Sequence, residues 1–236
     1  MRIRGLLPPN FAGIGAHLIW WDEQQVTQTQ PFLSKIQKKD ATIGVVGLGY
    51  VGLPLILTFG KKNFKLIGFD IDSNKIDALK SDQSYIKHID SERIAQLVRS
   101  EKFEPTSDFS QIRKCDAILL CVPTPLNANR EPDMSYIEST ANSIAPHLRP
   151  EQLIVLESTT YPGTTTGLLQ NLLESGSNLQ AGKDFFLAYS PEREDPGNPD
   201  FDTKLIPKVV GGINEESTEV TASLYRAALD EVIAVS

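Results

Sequence analysis

The chain predicts an α/β fold, a doubly wound parallel sheet, and three observations carry that expectation. A short apolar strand, Thr42 to Val46, runs straight into glycines at Gly47, Gly49 and Gly52. A second apolar run, Phe64 to Phe69, ends in an acid, Asp70, roughly 20 residues past the second glycine. Strand and helix patterns then alternate through most of residues 41–236, the order that passes parallel strands through helical crossovers.

The glycines sit in G-x-G-x-x-G spacing, and each answers a separate need. Gly47 permits the tight turn out of the strand, Gly49 keeps no side chain between a pyrophosphate and the backbone, and Gly52 lets the next helix press on the sheet. The opening of that helix aims free N–H groups at an anion, and Pro54 falls in the first turn, where a missing N–H is harmless. An acid placed like Asp70 holds the adenosine ribose hydroxyls and repels a 2′-phosphate, so NAD is expected over NADP. A plain helix cap for the segment from Ser73 is the competing use of Asp70.

Composition narrows the class. At 40% hydrophobic and 22% charged residues the chain reads as an ordinary globular protein. A net charge of −7 without basic runs beyond pairs such as Lys61-Lys62 argues against a nucleic-acid partner. No apolar segment approaches the roughly 18–20 residues that cross a bilayer. The two cysteines, Cys115 and Cys121, lie before and within one apolar strand, where they read as small core residues of a reducing cytoplasm and not as a disulfide, metal site or nucleophile. Residues 1–40 do not match the rest of the chain. Their apolar run to Trp21 is followed by Asp22-Glu-Gln-Gln and not by a small-residue cleavage site. They are expected to be an extension, poorly ordered or helical, with Phe32, Leu33 and Ile36 on one helical face beside Pro31.

Past Asp70, helices are expected over Ser73–Leu79 and Ser91–Ser100, with residues 84–90 as a surface loop carrying His88. Asp116–Val122 is a continuous apolar strand that ends in Val122-Pro-Thr-Pro125, an extended loop. A helix over Met134–Leu148 leads to the strand Gln152–Glu157 and the hydroxyl-bearing loop Ser158-Thr-Thr-Tyr-Pro-Gly163. A helix from Thr164 to Ser175 comes next, then a strand Asp184–Tyr189 and a segment dense in charge and turn formers at 190–198. Strand 208–212, helix 214–229 and strand 231–235 complete the pattern. In such sheets ligands bind at the carboxyl ends of the strands, so Thr124, Ser158, Thr159 and Glu192 are expected to converge. Glu192, fixed by Pro191 and beside Arg193, is a carboxylate able to orient or deprotonate water, and Arg193 suits an anionic or carbonyl-bearing ligand; a solvated surface pair is the alternative. No histidine base is suggested by the scattered His17, His88 and His147.

Five segments taken together resemble one family. They are Gly44-Val-Val-Gly-Leu-Gly-Tyr-Val-Gly-Leu-Pro54, Phe69-Asp-Ile-Asp72, Val122-Pro-Thr-Pro125, Glu157-Ser-Thr-Thr-Tyr-Pro-Gly163 and Ser190-Pro-Glu-Arg-Glu-Asp-Pro-Gly197. In this order they resemble the nucleotide-sugar dehydrogenases related to UDP-glucose and GDP-mannose dehydrogenase. The resemblance implies a Rossmann-type NAD-binding domain and a four-electron oxidation of a sugar C6 alcohol to the acid. Two hydrides pass in turn to NAD, and a cysteine holds the intermediate aldehyde. It implies that Asp70 and Lys75 bind the adenosine ribose, and that Gly47, Gly49, Tyr50, Val51 and Gly52 cradle the pyrophosphate. Thr124 and Thr159 then line the cofactor's nicotinamide side, with Val122, Pro123 and Ser158 as further cofactor contacts. Glu192 and Thr159 position or activate water, and Glu192 and Arg193 meet the substrate.

The wording of the last segment is most like members acting on UDP-N-acetyl-D-glucosamine, in cell-surface polysaccharide synthesis; UDP-N-acetylmannosamine and UDP-glucose are the alternatives. The family's catalytic cysteine has no counterpart here, and its second acid falls on Pro196, with Glu194 or Asp195 as candidate substitutes. The expectation is therefore an NAD-binding part over residues 41–236, with the family's C-terminal domains absent, inactive alone, from a family whose full-length members form homo-oligomers. A non-catalytic NAD-binding module is the reading from another class.

Overall fold

The computed structural model describes residues 29–126, 130–192 and 207–235; residues 1–28, Arg193, Glu194, Asp195 and Pro196 lie outside them. One eight-stranded sheet carries the fold, in the order β3-β2-β1-β4-β5-β6-β7-β8. The strands are β1 (Thr42–Val46), β2 (Lys65–Phe69), β3 (Phe103–Thr106), β4 (Ala117–Leu120), β5 (Leu153–Leu156), β6 (Phe186–Tyr189), β7 (Lys208–Gly212) and β8 (Val232–Val235). The first six are all parallel, in the 3-2-1-4-5-6 order of a doubly wound dinucleotide fold.

Each central strand is apolar on both sides because both faces are covered. Along β4, Ala117 and Leu119 enter one core cluster while Ile118 and Leu120 enter the other. Helices α1 (Gln30–Lys38), α2 (Gly52–Lys61), α3 (Ser73–Lys80), α4 (Ser91–Arg99) and α7 (Glu215–Arg226) supply the first cluster. Helices α5 (Ser135–Ile144) and α6 (Gln170–Ser177) supply the second. The helix starts are capped as their residue types dictate, with the Asp72, Asp90 and Asn214 side chains accepting from backbone N–H groups of the first turns.

Two features depart from the expected pattern. β7 runs antiparallel to β6, and β8 is parallel to β7, so the sheet is mostly but not wholly parallel. A parallel neighbour needs a crossover of a dozen or more residues, usually a helix, and the sequence between Tyr189 and Lys208 carries no helical pattern. The second is β3, which the sequence pattern does not announce. It is an edge strand holding Pro105, a place where a missing N–H is tolerated.

Helix α1 is packed into the molecule. Phe32 and Ile36 are buried in the first cluster, and Phe32 meets Phe186 edge-on at 6.2 Å. An ion cluster at the amino end of the sheet fastens it. The Asp116 carboxylate accepts from Lys35 Nζ and Arg149 Nη2, both at 2.7 Å, and from the Thr42 N–H at 2.9 Å. Burial opposes ionisation of Asp116, but the hydrogen bonds from Lys35, Thr42 and Arg149 outweigh it and hold its carboxyl below the usual range.

Asp116→Ala is expected to cost about 2–3 kcal/mol at neutral pH, much of it from cations and an N–H left without an acceptor. A lowered folded-state pKa gives stability that is present above the unfolded value and lost as pH falls through the folded one. The gap between wild type and variant, measured by urea unfolding, should therefore be full at pH 7 and shrink below about pH 4.

Candidate functional site

A cleft of about 730 Å³ opens at the carboxyl ends of β1, β2, β4 and β5, where the strand order reverses between β1 and β4. Its size falls within the usual range for cofactor sites. Three backbone positions shape its floor. Gly47 turns at φ +91°, and a Cβ there would come within 2.6 Å of the Cys121 carbonyl oxygen. A Cβ on Gly52 would collide with the Gly47 carbonyl and press on Val45 at 3.1 Å, so only glycine lets α2 start this close to β1. A Cβ on Gly49 would meet nothing within 4 Å, and that position faces the cleft. The open space thus lies over bare backbone at a helix start, whose first N–H groups have no intrahelical acceptor, and such a terminus suits an anion.

Asp70 stands at the end of β2, 6% exposed, and organises the turn. Its Oδ2 accepts from the Leu48 N–H and from Lys75 Nζ, each at 2.9 Å, and its Oδ1 accepts from the Asp72 N–H at 3.0 Å. Lys75 is thus ion-paired to Asp70, and both line the cleft. The loop at 84–90 reaches back over the glycines: Tyr85 donates its hydroxyl to the Leu48 carbonyl at 2.6 Å. Burial, with the charges of Asp70 and Asp72, raises the Tyr85 pKa far above that of a free phenol, so it remains a donor. His88 stacks on Tyr50, ring centroids 6.1 Å apart.

At the other end, the loops after β4 and β5 are stitched side by side. Ser158 donates its hydroxyl to the Val122 carbonyl at 2.5 Å, and Thr124 donates to the Thr159 carbonyl at 2.6 Å. Val122, Pro123, Thr124, Ser158, Thr159 and Glu192 all line this end. Of the expected site residues, Gly47, Gly49, Tyr50, Val51, Asp70 and Lys75 line the same cleft as these, and Gly52 backs the turn from below. Arg193 lies outside the described residues.

Both thiols are buried. The Cys115 pKa is pushed up to about 12, first by burial and then by the charge of Asp116. Burial raises Cys121 well above the ordinary thiol value, with the Glu157 charge adding to it. Neither is a thiolate nucleophile at neutral pH.

Two parts of the site go beyond the sequence expectation. Ser135, Tyr136, Ser139, Thr140 and Ser143 of α5 line the cleft wall; their spacing along one helical face is a signal visible in the sequence. Beneath the far end lies a buried trio: Lys208 Nζ is 2.5 Å from Glu157 Oε2, and the Tyr225 hydroxyl donates to Glu157 Oε1.

Strand order, glycine turn and strand-end acid together define a dinucleotide-binding domain. Residues 41–229 match the NAD binding domain of the UDP-glucose/GDP-mannose dehydrogenase family, and the chain belongs to that family. It is 37% identical over 188 residues to a UDP-N-acetyl-D-glucosamine 6-dehydrogenase of Pseudomonas aeruginosa, covering 80% of this chain and 44% of that protein. It is 31% identical to a UDP-N-acetyl-D-mannosamine dehydrogenase of Pyrococcus horikoshii, covering 78% of this chain and 44% of that one. Among solved structures, an NDP-N-acetyl-D-galactosaminuronic acid dehydrogenase from Methanosarcina mazei superposes with a TM-score of 0.74 at 35% identity, covering 85% of this chain and 46% of the other. The chain thus spans less than half the length of these relatives. Among the described residues, no helix is long and apolar enough to cross a membrane.

Proposed function

We propose that this chain supplies the NAD-binding part of an enzyme that oxidises the C6 alcohol of a UDP-sugar to the acid, with UDP-N-acetyl-D-glucosamine the favoured substrate. The observation that carries the reading is the polar far end of the cleft. A domain that only bound NAD would need the glycine turn, Asp70 and the stitched loops, but would have no use for a carboxylate, Glu192, standing near Thr159 at the opposite end. NAD, when bound, accepts hydride there. The chain's own groups do the rest: the glycine turn and α2 hold the diphosphate, Asp70 takes the ribose hydroxyls, and the stitched loops shape the nicotinamide end. Glu192 is the base that orients water or takes a proton from it, and Thr159 steers that water. UDP-N-acetylmannosamine and UDP-glucose are the competing substrates, and the working protein is cytoplasmic, where NAD is available.

Since neither cysteine of this chain is placed as a nucleophile, the purified chain is expected to bind NAD without reducing it in the presence of UDP-N-acetyl-D-glucosamine. Joined to the C-terminal part of the Pseudomonas aeruginosa relative, it should turn over. In that fusion Glu192→Gln should lower kcat by about 10²–10⁴-fold while leaving the KM for NAD within a factor of about two, since uniform cofactor binding is untouched. Wild-type turnover in Glu192→Gln would refute the assignment.

A further inference from the structure

A buried Lys–Glu pair is weak evidence for stability, because desolvation of both charges offsets their attraction, and one established use of such pairs is to fix a geometry. Lys208 is 2% exposed and Glu157 fully buried. They join three elements: Lys208 on β7, Glu157 at the end of β5, and Tyr225 on α7, whose ring also lies 5.3 Å from Lys208 Nζ. Lys208 has a second acceptor. Its Nζ lies 3.3 Å from the carbonyl oxygen of Pro191, the residue whose peptide bond leads directly into Glu192. Glu157, Glu192 and Lys208 also line one small cavity of about 40 Å³ together with Thr58 and Val51, and Glu157 and Glu192 border the main cleft as well. The ion pair therefore stands directly behind the carboxylate assigned to water activation.

We propose that Lys208 is a positioning residue: its ammonium, anchored on Glu157 and Tyr225, ties the Pro191–Glu192 backbone to the end of β5 and so sets where the Glu192 carboxylate stands at the nicotinamide end of the cleft. This rests on the assignment of Glu192 as the water-activating base. Among the described residues, Glu192 shares the small cavity with Glu157, just past β5, with Lys208 on β7, and with Val51, Pro54, Leu55 and Thr58 at the start of α2.

The test uses NADH emission, which reports the surroundings of the nicotinamide, in titrations of the full chain. Lys208→Met and Tyr225→Phe should shift the emission of bound NADH in the direction that Glu192→Gln shifts it, with Kd within about two-fold of wild type, because the glycine turn and Asp70 are untouched. Lys208→Arg, which keeps the charge, should restore the wild-type emission. Asp116→Ala, destabilising at the opposite end of the sheet, should leave it unchanged. Tyr225→Phe, which removes one oxygen and no charge, decides the matter should Lys208→Met fail to fold. Wild-type emission in the folded Lys208 and Tyr225 variants, with Glu192→Gln shifted, overturns the positioning role alone. Wild-type emission in Glu192→Gln overturns the placement of Glu192 itself, and the positioning role with it.

Discussion

Gly49→Val is expected to leave the fold intact and abolish NAD binding. The added side chain meets no protein atom within 4 Å of its Cβ, and Gly49 has no positive φ to strain, so stability should stay within about 0.5 kcal/mol of wild type. Yet in the proposed function that open space is where the diphosphate approaches the backbone. Losing two charge-assisted hydrogen bonds there, at about 1.5–3 kcal/mol each, weakens affinity by at least about 100-fold. Gly52→Val makes the contrast. Its Cβ would strike the Gly47 carbonyl and crowd Val45, so α2 must shift off β1, and stability should fall by about 1–3 kcal/mol or more along with binding. Thermal unfolding beside calorimetric NAD titration of the two variants checks both. Equal loss of stability in the two would show that the glycine turn is a packing device and not a cradle.

Asp70→Ala should have the second-largest effect, and it should appear in two measurements. The carboxylate holds the Leu48 N–H, the Asp72 N–H and Lys75. Its removal leaves two backbone N–H groups, the Leu48 one buried, and a partly buried ammonium without their acceptor, at a cost of about 2–4 kcal/mol. Binding should also lose its discrimination. With Asp70 present, NAD should bind at least about 100-fold more tightly than NADP, because a 2′-phosphate would face a buried carboxylate. Without it the ratio should fall to within about ten-fold. Competition titrations with the two cofactors read the ratio directly, and an unchanged ratio would place ribose recognition elsewhere.

How far the sequence discloses this molecule depends on how local each signal is. β1, the glycine turn, α2, β2 and Asp70 are legible because every part of that device lies within one short stretch with fixed spacing. The hydroxyl loops at Thr124 and Thr159 are legible because they come directly after unbroken apolar runs, which a sheet covered on both faces requires. β3 escapes because four residues containing Pro105 show neither alternation nor an apolar run. The direction of β7 is signalled only indirectly, by a connection from Tyr189 to Lys208 that carries no helical pattern. The Lys208–Glu157–Tyr225 cluster brings together residues 51 and 68 positions apart. Lys208 and Glu157 are single polar residues at the edges of apolar strands and Tyr225 lies in a largely polar helix, and only the fold makes them neighbours.

The central claim is that a dinucleotide lies across the reversal between β1 and β4 with its diphosphate on the glycine turn. The crystal structure of the chain with NAD tests it most directly. The diphosphate should lie within hydrogen-bonding distance of the backbone N–H groups between Gly49 and Gly52, the adenosine ribose hydroxyls on Asp70, and the nicotinamide beside Thr124 and Thr159. An NAD molecule bound away from this cleft, or reversed in it with its adenosine against Thr159, would contradict the account.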